Sequence, residues 1–214
     1  MHVIPAVNET NFDDIKKKIG VVEKLCFEQR CDPWVHLDVT DGVFTPNLTW
    51  GNPEELALLK TSLKFEIHLM VEEPEKAVEW WLKAGAKGIV VHQEAVKDPA
   101  FILETCRKYG ADAVLSIKPP TPVENLVPYL GIFGAVQILA VSPGLAGQSF
   151  DERVLEKIKF LKKNYPDVIV EVDGGINDKT ARLVKEAGAD VVVSATYIYR
   201  NPDPARAYRI LTEI

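Results

Sequence analysis

Along the chain, short runs of Val, Ile and Leu alternate with longer segments that are apolar on one side only. The short runs predict eight strands, at residues 3–7, 34–39, 64–70, 88–92, 112–117, 135–141, 168–172 and 191–194. Several are almost continuously apolar, the pattern of parallel strands covered on both faces. The intervening segments carry helix-start signals. Asn52 offers an N-cap, Pro53 suits the first helical position and Glu55 is placed to reach back. Ser149 to Glu152 has the spacing of another capping box, and Asp98-Pro99 and Asn201-Pro202 open helices in the same manner. Helix ends recur as "KAGAK", "KYGAD" and "EAGAD", in which Gly85, Gly110 and Gly188 can close a helix in the left-handed conformation. This is internal repetition of one strand–helix unit. Eight such units, with no linker rich in Pro, Gly or Ser, predict an α/β fold of one kind. It is a single-domain (β/α)8 TIM barrel over residues 1–214, compact beside the ~250 residues usual for such barrels. A doubly wound open sheet would show a Gly-rich fingerprint after its first strand, and "VIPAVNETN" has none.

The second strand breaks its own pattern. Trp34, Val35, Leu37 and Val39 suit a buried strand, but His36 and Asp38 sit two apart and point to one face. Barrel active sites gather at the C-terminal ends of strands. There the chain places His36, Asp38, Asp41 and Gly42, then His68, then His92 and Glu94. "VSPGLAGQSF" follows the sixth strand, Asp173-Gly174-Gly175 end the seventh, and Ser194-Ala195-Thr196 end the eighth. Three of the four histidines lie at strand ends. Buried charge is costly unless paired or metal-bound. His36, Asp38, His68 and Asp173 therefore predict either a metal site or a hydrogen-bonded polar layer capping the core. As a metal site, the set suits one divalent ion, Zn, Fe(II), Mn or Co. His92 and Glu94 read as hydrogen-bonding support behind it, and Cys106 as structural. Gly174-Gly175 predict a tight turn or a backbone phosphate site of the kind loops 7 and 8 of such barrels form. "PGLAGQSF" predicts a lid over substrate or an ordinary surface loop.

Composition narrows the partners. A net charge of −6 without a basic stripe speaks against nucleic acid. No apolar run approaches the ~20 residues of a membrane span, and the N-terminal "MHVIPAV" lacks the regions of a secretory signal. Cys26, Cys31 and Cys106, odd in number and unclustered, predict buried inert thiols in a reducing cytoplasm.

"HLDVTDGVFTPNLTWG", "FEIHLMVEEPE", "VVHQEA", "PPTPVE", "VSPGLAGQSF" and "VEVDGGIN", taken in order and spacing, resemble the ribulose-phosphate 3-epimerase family over residues 3–199. The resemblance implies a barrel enzyme that interconverts D-ribulose 5-phosphate and D-xylulose 5-phosphate. It puts His36, Asp38, His68 and Asp173 at the metal ligands, and Asp38 and Asp173 at the two acid–base groups. Gly174, Gly175, Ala195 and Thr196 fall at the phosphate, and His68, Met70 and the lid residues Gly144, Gly147 and Gln148 around the substrate. It also implies a homo-oligomer. Adjacent Trp80 and Trp81 would place one indole at an interface or between helix and barrel.

The chain departs from that pattern in places. Pro5-Ala6 stands where the family usually has Pro-Ser, and Asn8 on the same face could supply a polar group instead. Thr40 and Leu139 replace methionines, Leu145-Ala146 replaces Phe-Gly in the lid, and Ala195-Thr196 replaces Gly-Ser. The metal set is intact while the substrate-facing set has drifted. A ketopentose 5-phosphate and a ketohexose 6-phosphate both remain open as substrates. A non-catalytic sugar-phosphate-binding barrel is the alternative from another class.

Overall fold

A computed structural model of the chain describes residues 1–29 and 33–214. Eight parallel strands close into a barrel in sequence order. They are β1 (His2–Val7), β2 (Trp34–Thr40), β3 (Lys64–Met70), β4 (Gly88–His92), β5 (Asp112–Ile117), β6 (Ala135–Leu139), β7 (Ile169–Asp173) and β8 (Val191–Ser194). Each lies within two residues of its expected bounds. Around them run α1 (Phe12–Gln29), α2 (Pro53–Ala57), α3 (Pro74–Lys83), α4 (Pro99–Tyr109), α5 (Val154–Asn164), α6 (Asp178–Ala187), α7 (Thr196–Tyr199) and α8 (Pro204–Glu213).

The alternation of side chains along each strand builds two cores. Val35, Leu37, Ile67, Leu69, Ile89, Val91, Leu115, Ile138, Val170 and Val172 point outward and are sealed under the helices. Each such side chain contributes about 1.5–3 kcal/mol on burial. The helices answer with single apolar faces, Ile15, Ile19, Val22 and Leu25 on α1 and Ala181, Val184 and Ala187 on α6. Inside the barrel, Ile4, Ala6 and Val193 form a small apolar cluster on β1 and β8, while β2, β3 and β7 turn polar side chains inward.

The caps follow the sequence only partly. Asp98 caps α4 by accepting from Phe101 N, and Gly110 and Gly188 close α4 and α6 in the left-handed region. Gly85 (φ 104°) does the same just beyond α3. Asn52 accepts from Glu54 N, but Glu55 does not reach back, because its carboxylate accepts the Trp50 indole N–H at 2.5 Å. The box expected at 149–152 does not form. Asp151 pairs with the Arg153 guanidinium at 2.7 Å, and α5 starts after Arg153 without a side-chain cap. Asn201-Pro202 yields to the next such pair, and Asp203-Pro204 opens α8 with Asp203 accepting from Arg206 N.

The fifth crossover is a 3₁₀ segment, Val123–Tyr129, rather than an α-helix. Pro119, Pro120, Pro122 and Pro128 withhold the amide hydrogens a regular helix needs there. The free thiols expected of all three cysteines are found only in part: Cys106 is free and buried, Cys26 is disulfide-bonded, and Cys31 lies outside the described residues. Trp81 packs inward, while Trp80 stays 66% exposed. Among the described residues, no helix is long and apolar enough to cross a membrane.

Candidate active site and metal centre

The pleat of β2 turns His36 and Asp38 into the barrel, and parallel register brings their counterparts to the same height. Asp38 lies level with His68 on β3, and Leu139 level with Asp173 on β7. Single donor atoms of His36, Asp38, His68 and Asp173 all fall within 4.8 Å of one another. His36 Nε2 lies 3.4 Å and His68 Nδ1 3.3 Å from Asp38 Oδ1, and His68 Nδ1 lies 3.7 Å from Asp173 Oδ2. Asp38 Oδ1 is buried without a hydrogen-bond partner. Two nitrogens, two oxygens and an orphaned carboxylate oxygen facing one point fit a divalent cation.

A polar layer supports the set from below. Glu66 Oε1 accepts from His36 Nδ1 at 2.7 Å, which leaves Nε2 directed at the centre. Gln137 Nε2 donates to Glu171 Oε1 at 2.8 Å and its carbonyl accepts from Ser116 Oγ at 2.7 Å. On the other flank His68 Nε2 meets His92 Nε2 at 2.9 Å, and His92 Nδ1 faces Glu94 at 3.4 Å. Glu94 in turn accepts from Lys118 N and Thr121 Oγ1. His92 thus contacts His68 from behind, and Glu94 lies beyond it. Glu66, Ser116, Gln137 and Glu171 join the candidate site as a buried polar layer that the sequence analysis does not single out. The signal was present: Glu66 precedes His68, and Glu171 precedes Asp173, by the two residues that keep a side chain on one strand face.

Charge in this enclosure is unequally distributed. Burial raises Asp173 to about 7, and the charge of Asp38 adds to the rise. Burial also disfavours ionised Asp38, but His36 and His68 outweigh it and hold that carboxyl well below the usual range. Burial depresses His36 too, yet Asp38 and Glu66 together raise it well above an ordinary imidazole. His68 is pushed down to about 3 by burial. Glu171 is lifted to about 8 by burial and then by Glu66. A cation among the ligands would reverse this balance and keep both aspartates ionised.

Above the cluster opens a cavity of about 260 Å³. Asp38 and Asp173 reach its wall together with Ala6, Asn8, Met70 and Leu139, and so do Gly144, Gly147, Gln148, Gly174, Gly175, Ala195 and Thr196. His36 and His68 are fully buried and do not line it, so of the residues assigned to substrate only His68 is held back. Thr40 is turned away as well. Its hydroxyl accepts from Thr49 N and its amide donates to Thr49 Oγ1, tying the β2 end to the following loop. Gly174 and Gly175 have φ of 101° and 68°. Asn177 and Thr180 close a reciprocal capping box, and the Thr180 hydroxyl also donates to Gly175 O at 2.9 Å, which fixes the loop ahead of α6. The Gln148 amide is spent inside the 142–148 loop, on Ser142 O and Leu145 O.

A cleft at the C-terminal mouth of a (β/α)8 barrel, floored by carboxylates and imidazoles, defines a barrel enzyme with its site where that fold carries it. The sequence pattern of the ribulose-phosphate 3 epimerase family matches residues 2–199. Ribulose-phosphate 3-epimerase of Mycobacterium bovis is 38% identical over 183 residues, covering 83% of this chain and 80% of its own. That of Schizosaccharomyces pombe is 34% identical over 206 residues, covering 94% and 88%. Among solved structures, 3-hexulose-6-phosphate synthase from Salmonella typhimurium superposes with a TM-score of 0.73 at 16% identity, covering 100% of this chain and 97% of the other, a likeness of fold alone. The chain belongs to the ribulose-phosphate 3-epimerase family of isomerases.

Proposed function

We propose that the protein epimerises C3 of D-ribulose 5-phosphate, giving D-xylulose 5-phosphate, with Asp38 and Asp173 as the acid–base pair. The observation that carries this reading is the arrival of both carboxylates, from β2 and β7, at one small cavity beside two buried imidazoles. The C3 hydrogen is acidified by the adjacent C2 ketone. One aspartate removes it, the carbon becomes planar, and the other aspartate returns a proton to the opposite face. The roles exchange with direction, so neither a redox step nor a covalent enzyme intermediate is needed. A divalent ion held by His36, Asp38, His68 and Asp173 would supply Lewis-acid stabilisation of the negative charge that develops on the ketose oxygens, worth several kcal/mol. The chain's own groups do the rest. Gly174, Gly175, Ala195 and Thr196 seat the phosphate through their backbone, Met70 and Leu139 give the sugar an apolar wall, and residues 143–148 exclude water from above.

The cavity, at about 260 Å³, is small beside the roughly 300–1,000 Å³ of drug-sized ligand sites and suits a compact sugar phosphate of either length. Metal-replete protein is incubated with ribulose 5-phosphate in heavy water and followed by NMR. Deuterium at C3 and the appearance of xylulose 5-phosphate are expected. Exchange only with a hexulose 6-phosphate would shift the substrate, and exchange with neither would leave a sugar-phosphate-binding barrel.

A further inference from the structure

We propose that Asn8 is a positioning residue that couples the lid to Asp38. The inference rests on the reading above, in which Asp38 exchanges a proton with the substrate. Asn8 stands one residue past the end of β1 and lines the cavity. Its Nδ2 donates to Asp38 Oδ2 at 2.8 Å and to Gly144 O, in the lid, at 3.0 Å. A carboxamide nitrogen has two hydrogens, so this bridge uses both. The two oxygens of Asp38 are thereby set apart. Oδ1 faces His36 and His68 at 3.4 and 3.3 Å, whereas Oδ2 takes the amide of Asn8, a residue that lines the cavity.

The lid end of the bridge is equally constrained. Gly144 O accepts a second amide, Asn47 Nδ2, at 3.0 Å. The same glycine has φ 109°, and a Cβ there would collide with Asn47 Oδ1. The lid carbonyl is thus pinned by asparagines from two different loops, of which only Asn8 also touches Asp38. Raising the lid removes one of the two bonds that fix the Asn8 rotamer, and with it the constraint on Oδ2. Lowering the lid restores the orientation of the proton-transferring oxygen. Proton abstraction is then tied to the state in which the intermediate is shielded from water. Ala6, which lines the same wall, carries no polar group that could do this.

Asn47 supplies the control, since it holds the lid without touching Asp38. Steady-state kinetics are measured for wild type, Asn8→Ala and Asn47→Ala with ribulose 5-phosphate and with its C3-deuterated form. Asn47→Ala should raise KM and leave the isotope effect on kcat at the wild-type value. Asn8→Ala should lower kcat by on the order of 10- to 100-fold, the usual worth of one hydrogen bond to a charged group, and should raise the isotope effect on kcat. Asn8→Leu, similar in size and without donors, is the second variant should Asn8→Ala lose its fold, and the same split is expected. If the Asn8 variants change only KM, as Asn47→Ala does, or leave kcat and the isotope effect unmoved, the coupling is wrong while the epimerase reading stands. An inert wild type overturns both.

Discussion

A strand that must pack on both faces has no use for charge, so each charged residue in it needs a reason, and here the reasons converge. His36, Asp38, His68 and Asp173 were legible because they interrupt apolar runs at the ends where this fold works. Their supports are less legible, because Glu66, Ser116, Gln137 and Glu171 are buried within the strands rather than gathered at a loop. Asn8 was legible only as a spare polar group on the Ala6 face. Its two partners lie 30 and 136 residues away, and no local pattern reports such distances. The pair Asp38 and Asp173 yields a direct test. Asp173→Asn keeps the shape and removes the titratable oxygen, so turnover should fall by at least about 10²-fold with an unchanged far-ultraviolet circular dichroism spectrum. Near-normal turnover would remove Asp173 from the mechanism. Cys106 gives a test away from the site. Burial pushes its thiol up to about 12 from an ordinary 9.0. Between those values the unfolded chain has lost a proton that the folded chain keeps, so the unfolded state binds fewer protons and stability declines as pH rises. Urea titrations should show a shallower alkaline decline for Cys106→Ala than for wild type, and a thiol reagent at mildly alkaline pH should label Cys106 only after unfolding.

At the scale of elements, what could be read were periods and stops, and what could not were competitions. Two Asx-Pro pairs in tandem both announce α8, and the sequence offers no reason to prefer Asp203 over Asn201. Glu55 can reach back to the helix start or accept the Trp50 indole, and only the placement of Trp50, stacked on Phe12 at 5.4 Å, decides. The β7–α6 connection is the element whose geometry matters most for function. The Cβ of an alanine at Gly175 would lie 2.9 Å from the backbone of Phe150, at φ 68°. That backbone ends the loop after β6, so the clash falls on main chain rather than on a flexible side chain. Gly175→Ala should cost roughly 1–3 kcal/mol of stability and raise KM for the sugar phosphate more than it lowers kcat. Thermal melting and steady-state kinetics check the two halves separately. An alanine variant with unaltered KM would mean that the phosphate does not rest on this turn.

For the molecule as a whole, closure was legible from eight repeated units, since each strand needs a neighbour on both sides and the first and last are left for one another. Closure also makes the site a point of tension in the absence of a cation. β2, β3 and β7 are forced to present carboxylates and imidazoles to one another, and burial holds Asp173 near a pKa of about 7 rather than letting it ionise freely. The unfolded chain suffers no such enclosure and has no preformed set of ligands. A divalent ion held by the four side chains would therefore bind the folded barrel in preference and stabilise it by mass action, about 2.7 kcal/mol at a free concentration 100 times its Kd. A chain of this length melts about 2–4 °C higher for each kcal/mol gained, so chelation should lower Tm by roughly 5–10 °C. Differential scanning calorimetry with and without chelator, followed by readdition of Zn, Mn, Co or Fe(II), measures this and ranks the ions. The Asp173→Asn barrel should lose most of the response, since one of its four ligands becomes a neutral amide. A wild-type Tm indifferent to every ion would leave the four side chains as a hydrogen-bonded cap on the core, because nothing that binds only the native state can fail to raise its melting point.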